Sequence, residues 1–325
     1  MRREVRVEEA IGMALAHDLT RIVPGEFKGR AFSRGHVIRE EDIVELLKIG
    51  KEHIFVLELG SDEVHEEEAA LAMAAALAHD SLTFTAPHEG KITAKAAHAG
   101  LLIIDLTALH AVNDIGDLAL VTKRTHTPVA EGAPVAGLRA IPLVLERAKL
   151  ERFAQIARDA HPVLEVLPYL PLRVGVVTTG SEVAKGRIQD RFGPVLQEKA
   201  AAYGLIWLGQ TIVGDDRTEI VGAMTAWCDQ GADLVLVTGG MSVDPDDRSP
   251  SAIRMMADEV VAYGMPVLPG SMSMLAYRGQ TAIMGLPGCV IFDKVTVFDW
   301  LLPRIAVGQR LTRADIVALG HGGLM

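Results

Sequence analysis

The amino-acid sequence predicts an α/β protein: a three-layer domain with a mainly parallel sheet in the C-terminal half, preceded by an α+β region that contains a small β module. From Leu172 onward, short apolar runs alternate with helical segments, which is the pattern of βα units in a parallel sheet. Three glycine-bearing loops follow apolar runs in this half, at 178–187, 238–247 and 285–289. Because the carboxyl ends of parallel strands meet at one edge of a sheet, we expect these loops to lie together.

The first 81 residues predict an α/β region. Helical spacing of apolar residues predicts a helix over 7–15. Acids at the beginning and Gly50 at the end predict a second helix over 40–50. The β-rich run 53–57 predicts a strand. A third helix is expected over 62–79, where the acids of the first turns suit the positive end of the helix dipole.

The remaining segments complete the predicted domain organisation. Residues 82–142 predict a small β module, since short β-like runs alternate there with glycines. A helix and a proline-punctuated linker are expected over 143–171. The α/β domain then covers 172–310, closed by one long apolar helix over 290–307, and 311–325 is expected to be a C-terminal tail.

The composition limits the classes of function. Of 325 residues, 49% are hydrophobic and 23% are charged, a balance typical of globular domains. The formal net charge of −10 argues against a general nucleic-acid-binding protein, which carries a basic face. Cys228 and Cys289 have neither disulfide nor metal-ligand spacing, and no apolar stretch has the length of a membrane span. We expect a cytoplasmic protein that binds neither nucleic acid nor membrane, and a homo-oligomer.

The loop from Thr238 to Asp247 is the stretch around which the chain is organised. It follows a buried-strand pattern over 232–237 and precedes Ser249-Pro250, a helix-start signal. Its two adjacent glycines let the backbone approach an anion such as a phosphate. Its three aspartates would repel a bare phosphate, so a Mg²⁺ between the carboxylates and the phosphate is expected. A surface turn rich in glycine and aspartate is the alternative interpretation.

The three loops together resemble a known family. Their motifs are Thr179-Gly180-Ser181-Glu182, then Gly239-Gly240-Met241-Ser242-Val243 with Asp247, then Gly285-Leu286-Pro287-Gly288. In this order they are similar to the molybdopterin-binding domain shared by MoeA, MogA and gephyrin. The resemblance covers about Leu172 to Val307. A weaker similarity over Val37 to Leu57 is to the passage that precedes this domain in MoeA-type proteins.

The resemblance implies a MogA-like fold and a transferase of molybdenum cofactor biosynthesis that supports molybdate insertion into molybdopterin or its adenylylated form. It implies catalytic roles for Glu182, Asp190 and Asp247, and a Mg²⁺ held by Asp247 with Asp244 and Asp246. The implied contacts to molybdopterin are Thr179, Gly180, Ser181, Gly239, Gly240, Met241, Ser242, Pro287 and Gly288.

The sequence also departs from the family pattern. Arg191-Phe192 stands in place of Ser-Asn, Ser271-Met272 in place of Lys-Pro, and Cys289-Val290 in place of Asn-Pro. MoeA-type proteins continue with a further β domain, whereas 311–325 is all that follows the final helix here. Two alternative functions are therefore kept: a non-catalytic molybdopterin carrier or scaffold, and a CinA-like nucleotide-processing hydrolase. Cys289 at a predicted helix start is a reactive thiol or, more commonly, a packing residue.

Overall fold

The computed structural model describes residues 2–23, 27–57, 59–88, 90–242 and 247–325. The chain divides into two compact units, Met1–Val166 (unit 1) and Leu167–Met325 (unit 2). Within the described ranges, every helix is too short or too polar to cross a lipid bilayer.

The first part of unit 1 consists of two antiparallel strand pairs and one helix. Its elements are β1 (Arg2–Arg6), β2 (Leu19–Val23), β3 (Phe27–Phe32), α1 (Asp42–Lys48) and β4 (His53–Leu57). β1 pairs with β4, and β2 pairs with β3. The helix predicted over 40–50 and the strand predicted over 53–57 are confirmed by α1 and β4.

The helix predicted over 7–15 is wrong. Only Val7–Glu9 forms a short 3₁₀ turn, and Gly12 then adopts a φ of +84°, which a helix cannot contain. Leu15 is extended and forms an antiparallel bridge with Val56. Val7 and Leu15 are nevertheless buried in the same apolar cluster. The apolar spacing therefore marked the core-facing residues correctly, but tertiary pairing set the backbone conformation.

The rest of unit 1 contains three helices and nine strands within the described ranges, β13 running across the boundary of the units. They are β5 (Glu63–His65), α2 (Glu66–Ala76), β6 (Leu82–Phe84), β7 (Lys91–Ala96), β8 (Gly100–Ile104), α3 (Leu106–Asn113), β9 (Leu118–Thr122), β10 (Thr127–Val129), β11 (Pro134–Ala140), β12 (Val144–Glu146), α4 (Arg147–Ala160) and β13 (Leu164–Pro168). One sheet has the order β6-β7-β11-β9, another has the order β10-β8-β13, and β5 pairs with β12.

The segment 82–142 shares its hydrophobic core with the helices on either side of it. One buried cluster joins Met73 of α2, Leu138 of β11 and Phe153 of α4. The β-rich character predicted for this segment is confirmed, although α3 lies inside it and sequence reasoning missed that helix. Asp105 accepts a hydrogen bond from the Ala108 N–H and so begins α3 as its N-cap.

Two boundaries in unit 1 differ from the prediction. The helix predicted from residue 62 begins at Glu66, because Glu63–His65 is extended and pairs with β12. The His65 ring accepts the Glu67 N–H and caps the helix. Part of the predicted linker is a strand, because β13 adds to the sheet beside β8. Pairing with distant strands, which local sequence does not reveal, explains both differences.

Unit 2 alternates strands and helices from its beginning. Its elements are β14 (Arg173–Thr179), α5 (Ser181–Ala184), α6 (Phe192–Ala201), β15 (Ile206–Val213), α7 (Arg217–Asp229), β16 (Leu234–Thr238), α8 (Ser249–Met256), β17 (Glu259–Tyr263), β18 (Met274–Arg278), β19 (Thr281–Leu286), α9 (Cys289–Phe292), α10 (Val297–Ala306) and α11 (Arg313–Ala318). The six strands form one sheet in the order β15-β14-β16-β19-β18-β17.

The sheet of unit 2 is mainly parallel and lies between two layers of helices. β15, β14, β16 and β19 are parallel neighbours, while β18 and β17 are antiparallel at one end. Val174 and Leu234 face a cluster that includes residues of α6, α10 and α11. Val177 and Val235 face the opposite cluster, with residues of α7 and α8. The predicted three-layer α/β fold is confirmed, and β18 and β19 form an antiparallel hairpin.

The C-terminal part of unit 2 differs from the prediction in two ways. The single helix expected over 290–307 is two helices, because Asp299 caps the backbone N–H of Thr296 and starts α10 there. The expected tail contains α11, whose Ile316 is fully buried. The Arg304 guanidinium of α10 forms a 2.6 Å ion pair with Asp315 of α11. The last residues are therefore part of the folded domain.

We predict that the Arg304–Asp315 ion pair stabilises unit 2 in a pH-dependent way. Burial raises the pKa of the Asp315 carboxyl, but hydrogen bonds from Thr312 and Arg304 and the Arg304 charge outweigh it and lower that pKa from 3.8 to about 2. A lowered pKa adds stability above pH 4 that is lost progressively as the pH falls towards 2. Asp315→Asn should lower the free energy of unfolding at pH 7 by about 2 kcal/mol.

The measurement is urea unfolding of the full chain between pH 7 and pH 3, with the transition of unit 2 followed separately. The matched control is Asp229→Asn, an exposed carboxylate at the end of α7. The difference between wild type and Asp315→Asn should shrink below pH 4. A difference that stays constant over this range would contradict the prediction.

Candidate functional site

The carboxyl ends of four parallel strands lie side by side in unit 2. Thr178 of β14 is in register with Thr238 of β16, and Thr238 with Leu286 of β19. On the other side of β14, Thr179 is in register with Val213 of β15. The three predicted glycine-bearing loops therefore do meet at one edge of the sheet. A fourth loop, 214–216 after β15, joins them there.

The first loop, after β14, is held by the fourth loop. Thr179 is buried, and Gly180 has a φ of +137° before the short helix α5 begins. The Ser181 N–H donates to the Asp215 carboxylate at 2.9 Å. Glu182 is exposed on α5, and its carboxylate makes no hydrogen bond or ion pair to another described residue. Among the three residues predicted to be catalytic, Glu182 therefore has a carboxylate that is accessible to a ligand.

Asp190 lies between the first loop and α6, and its carboxylate accepts hydrogen bonds from the first backbone N–H groups of α6. Its Oδ1 accepts the Phe192 N–H at 3.0 Å, and its Oδ2 accepts the Gly193 N–H at 2.9 Å. The same Oδ2 accepts a hydrogen bond from the Gln210 amide at 2.8 Å. Three donors therefore hold the Asp190 carboxylate in one orientation. The carboxylate therefore fixes the start of α6 and connects it to β15.

The second loop, after β16, packs directly on the first. Gly239 has a φ of +84°, and a Cβ built on it would lie 2.2 Å from the Thr179 carbonyl oxygen. Gly240 has a φ of +55°, and its Cβ would lie 3.3 Å from Ser249 Oγ and 3.4 Å from Thr179 Oγ1. Both glycines thus allow close packing of two loops. Sequence reasoning had assigned them to the approach of a ligand alone.

Met241 and Ser242 continue this loop in different environments. The Met241 side chain is buried, and Gly285 of β19 leaves room for it: a Cβ at Gly285 would lie 2.4 Å from its methyl carbon. Ser242 is exposed, and its carbonyl oxygen accepts the Tyr263 hydroxyl at 3.3 Å. Met241 therefore ties the second loop to β19, while Ser242 remains open to solvent.

The acidic part of the second loop is only partly described. Asp244 and Asp246 lie outside the described residues, so their role as metal ligands stays a prediction. Asp247 is half-buried and directly precedes Arg248, the N-cap of α8. Among the described residues, no three His, Cys, Asp or Glu side chains come together as a metal cluster.

The third loop, after β19, is short. Pro287 is half-buried, and the exposed Gly288 is the N-cap of α9. Burial, aided by the charge of Asp293, raises the pKa of the Cys289 thiol. A raised pKa disfavours the reactive thiolate, so Cys289 is better described as a packing residue.

The N-terminal and C-terminal parts of the chain match different protein families. Residues 175–307 match a family described as "Probable molybdopterin binding domain". Residues 4–58 match a family described only as a domain of unknown function. The predicted MoeA-like passage, Val37 to Leu57, lies inside this second match.

Residues 175–307 belong to the molybdopterin-binding domain family.

Curated relatives share only a part of their length with this chain. A CinA-like protein of Mycobacterium tuberculosis is 36% identical over 77 residues, which are 24% of this chain and 18% of that protein. A CinA-like protein of Mycobacterium avium is 35% identical over 90 residues, which are 27% of this chain and 21% of that protein. The chain thus matches about a fifth of the length of these relatives.

Solved structures similar to this chain include two MoaB proteins. The molybdopterin biosynthesis enzyme MoaB from Thermus thermophilus is 26% identical with a TM-score of 0.38, covering 42% of this chain and 98% of its own. The tungsten cofactor synthesizing protein MoaB from Pyrococcus furiosus is 24% identical with a TM-score of 0.34, covering 41% of this chain and 90% of its own.

Four residues near the edge of the molybdopterin-binding domain were not among the predicted site residues: Gln210, Asp215, Asp216 and Ser249. Asp216 caps α7, and hydrogen bonds from the backbone N–H groups of Glu219 and Thr218 lower the pKa of its carboxyl. The Ser249 hydroxyl donates to the Gly239 carbonyl oxygen at 2.7 Å. The rule that ligands bind at the carboxyl ends of strands could have identified 214–216, because this loop directly follows β15.

We predict that Gly239 of the molybdopterin-binding domain tolerates no side chain. Gly204 also has a positive φ, of +68°, but a Cβ there would meet nothing within 4 Å. Gly204→Ala should therefore cost only the conformational penalty of about 1 kcal/mol. Gly239→Ala adds a collision with the Thr179 backbone, so it should cost at least about twice as much. Urea unfolding of the two variants measures this, and equal losses of stability would contradict the packing described for Gly239.

Proposed function

We propose that the molybdopterin-binding domain holds molybdopterin or its adenylylated form at the loop-bearing edge of its sheet and supports molybdate insertion there. The match of residues 175–307 to the molybdopterin-binding family carries this proposal. The register of β14, β16 and β19 supports the location, because it brings the three motif loops to one edge. Molybdate would be a substrate of the reaction. A cytoplasmic, homo-oligomeric enzyme is part of the proposal.

The residues divide into those that would contact the ligand and those that would support them. Ser242, Gly288 and Glu182 are exposed at the edge and would be the first to meet a ligand. Thr179, Gly239 and Gly240 would act through the packing of the first two loops. The remaining proposed contacts are Gly180, Ser181 and Pro287, while the buried Met241 would position the second loop against β19. Asp190 would order the first loop, since three hydrogen bonds hold its carboxylate.

A Mg²⁺ held by carboxylates at this edge is part of the proposal. Mg²⁺ in phosphate sites is commonly held by one or two protein carboxylates together with phosphate oxygens and waters. Among the described residues, Glu182 is exposed, and Asp247 is half-buried beside the N-terminus of α8. In the proposal Asp247, with Asp244 and Asp246, holds the metal, and Glu182 orients the ligand. The metal would neutralise the phosphate charge, while the chain supplies the loop that holds the phosphate.

Two other functions would use the same edge. A non-catalytic carrier would bind molybdopterin there and release it without metal insertion. A CinA-like nucleotide-processing hydrolase is favoured by the 36% identity to CinA-like proteins over 77 residues. Assays of molybdate incorporation and of nucleotide hydrolysis, run on the same preparation, distinguish molybdate insertion from the carrier and the hydrolase functions. Molybdopterin binding without incorporation would support the carrier, and nucleotide hydrolysis without molybdopterin binding would support the hydrolase.

We predict that Mg²⁺ strengthens molybdopterin binding through Asp247. Asp247→Asn keeps the side-chain size and removes one charge, so the affinity in the presence of Mg²⁺ should fall at least about tenfold, equivalent to about 1.4 kcal/mol. Without Mg²⁺ the same change should have little effect or a small favourable one, because a charge that repels the phosphate is gone. Calorimetric titration with molybdopterin at several Mg²⁺ concentrations measures both effects.

The control for this experiment is Asp229→Asn, which removes one exposed carboxylate from the same unit at the end of α7. Asp229→Asn should leave the molybdopterin affinity unchanged both with and without Mg²⁺. Wild-type binding that does not depend on Mg²⁺ would show the metal assignment to be wrong. Absence of any molybdopterin binding by the folded wild type would show the proposed function to be wrong.

A further inference from the structure

Gln210 is a polar residue of β15 that lies outside all the motif loops. It is half-buried near the carboxyl end of the strand. Its side-chain amide nitrogen donates to Thr178 Oγ1 at 2.7 Å and to Asp190 Oδ2 at 2.8 Å. An amide NH₂ has two hydrogens, so these bonds use its full donor capacity. Gln210 thereby connects Asp190, at the end of the connection from β14 to α6, to the sheet.

The connection continues through buried hydroxyl groups to the second loop. Thr178 and Thr238 are both fully buried, and the Thr238 hydroxyl donates to Thr178 Oγ1 at 3.1 Å. Thr238 directly precedes Gly239. A continuous set of hydrogen bonds therefore runs from Asp190 through Gln210 and Thr178 to Thr238. Buried polar groups joined in this way hold one geometry, because leaving any member unpaired costs free energy.

The space around the Gln210 amide also fixes its orientation. Gly193, in the first turn of α6, leaves room for it: a Cβ at Gly193 would lie 2.2 Å from Gln210 Oε1. The Gly193 N–H and the Gln210 amide nitrogen both donate to Asp190 Oδ2. The oxygen of the amide thus packs against α6, while the nitrogen faces the carboxylate and Thr178. A side chain without a hydrogen-bond donor at position 210 would leave Thr178 Oγ1 and Asp190 Oδ2 with one hydrogen bond fewer each.

We propose that Gln210 is a positioning residue for ligand binding, acting through Asp190 to hold the first loop, and with it Glu182, against the second. This inference rests on the proposed function. The first loop belongs to the connection between β14 and α6, in which the Thr179–Ser181 backbone lies at one end and Asp190 at the other. β14 holds one end directly, and Gln210 holds the other. Loss of the Gln210 donor should loosen the loop and weaken binding, although the residue itself need not touch the ligand.

The decisive variant is Gln210→Glu, which has nearly the same shape but replaces the donor with a carboxylate next to Asp190. At pH 8 the new carboxylate repels that of Asp190, and the affinity for molybdopterin should fall at least about tenfold. As the pH falls towards 5, protonation of the new side chain restores a hydrogen-bond donor to Asp190, and the affinity should recover. The readout is the pH profile of the ratio of variant to wild-type affinity.

A matched control exists in unit 1. The Gln155 amide donates to the Asp159 carboxylate at 2.7 Å on the exposed face of α4. Gln155→Glu creates the same pair of carboxylates outside the molybdopterin-binding domain, and its affinity ratio should stay flat from pH 8 to pH 5. A flat profile for Gln210→Glu as well, in folded protein, would overturn the positioning role.

A second variant keeps the inference testable without the ligand. In Gln210→Met the donor is lost with no added charge, and amide hydrogen exchange over 181–190 should become at least about fivefold faster, while exchange in β16 stays unchanged. Unchanged exchange over 181–190 would overturn the inference. If wild-type protein binds no molybdopterin but this loop loosens as expected, the proposed function fails and the role of Gln210 in holding the loop stands.

Discussion

The close approach of two loops at the edge of the sheet is the constraint on which the candidate site depends. Parallel pairing of β14 and β16 sends their following loops in the same direction, and the loops then meet backbone to backbone at Thr179 and Gly239. A residue with a Cβ at 239 would collide with the Thr179 carbonyl oxygen. The placement of Gly240, and of Ser249 at the start of α8, depends on this contact, because both pack against the same two residues.

Buried polar side chains at the carboxyl ends of β14 and β16 and at the start of α8 also stabilise this contact. Thr179 Oγ1 lies 3.2 Å from Ser249 Oγ, and the Ser249 hydroxyl donates to the Gly239 carbonyl oxygen. Thr178 and Thr238 add a second link one residue earlier in each strand. Apolar side chains hold the two faces of the sheet, but hydroxyl and amide groups hold this edge. Their directional bonds make the loop geometry more specific than apolar packing alone would.

Much of the fold was predictable because it depends on local patterns. The apolar β-branched run before Thr238 predicted β16, the Ser-Pro signal predicted α8, and the alternation from Leu172 predicted a mainly parallel sheet. Failures occurred where distant strands decided the conformation. Leu15 was predicted as helical but pairs with Val56, and part of the predicted linker became β13, beside β8. No local pattern of apolar residues records which distant strand will be the partner.

The sequence by itself determined that three glycine-bearing motifs follow strands of one parallel sheet, and their order was enough to indicate the molybdopterin-binding family. Tertiary structure alone decided what the individual residues do. Gly239 and Gly240 make room for Thr179 and Ser249, Asp190 accepts hydrogen bonds from the start of a helix, and Gln210 on a neighbouring strand holds Asp190 in place. These roles depend on side chains that are far apart in the chain, and only folding brings their atoms within hydrogen-bonding distance.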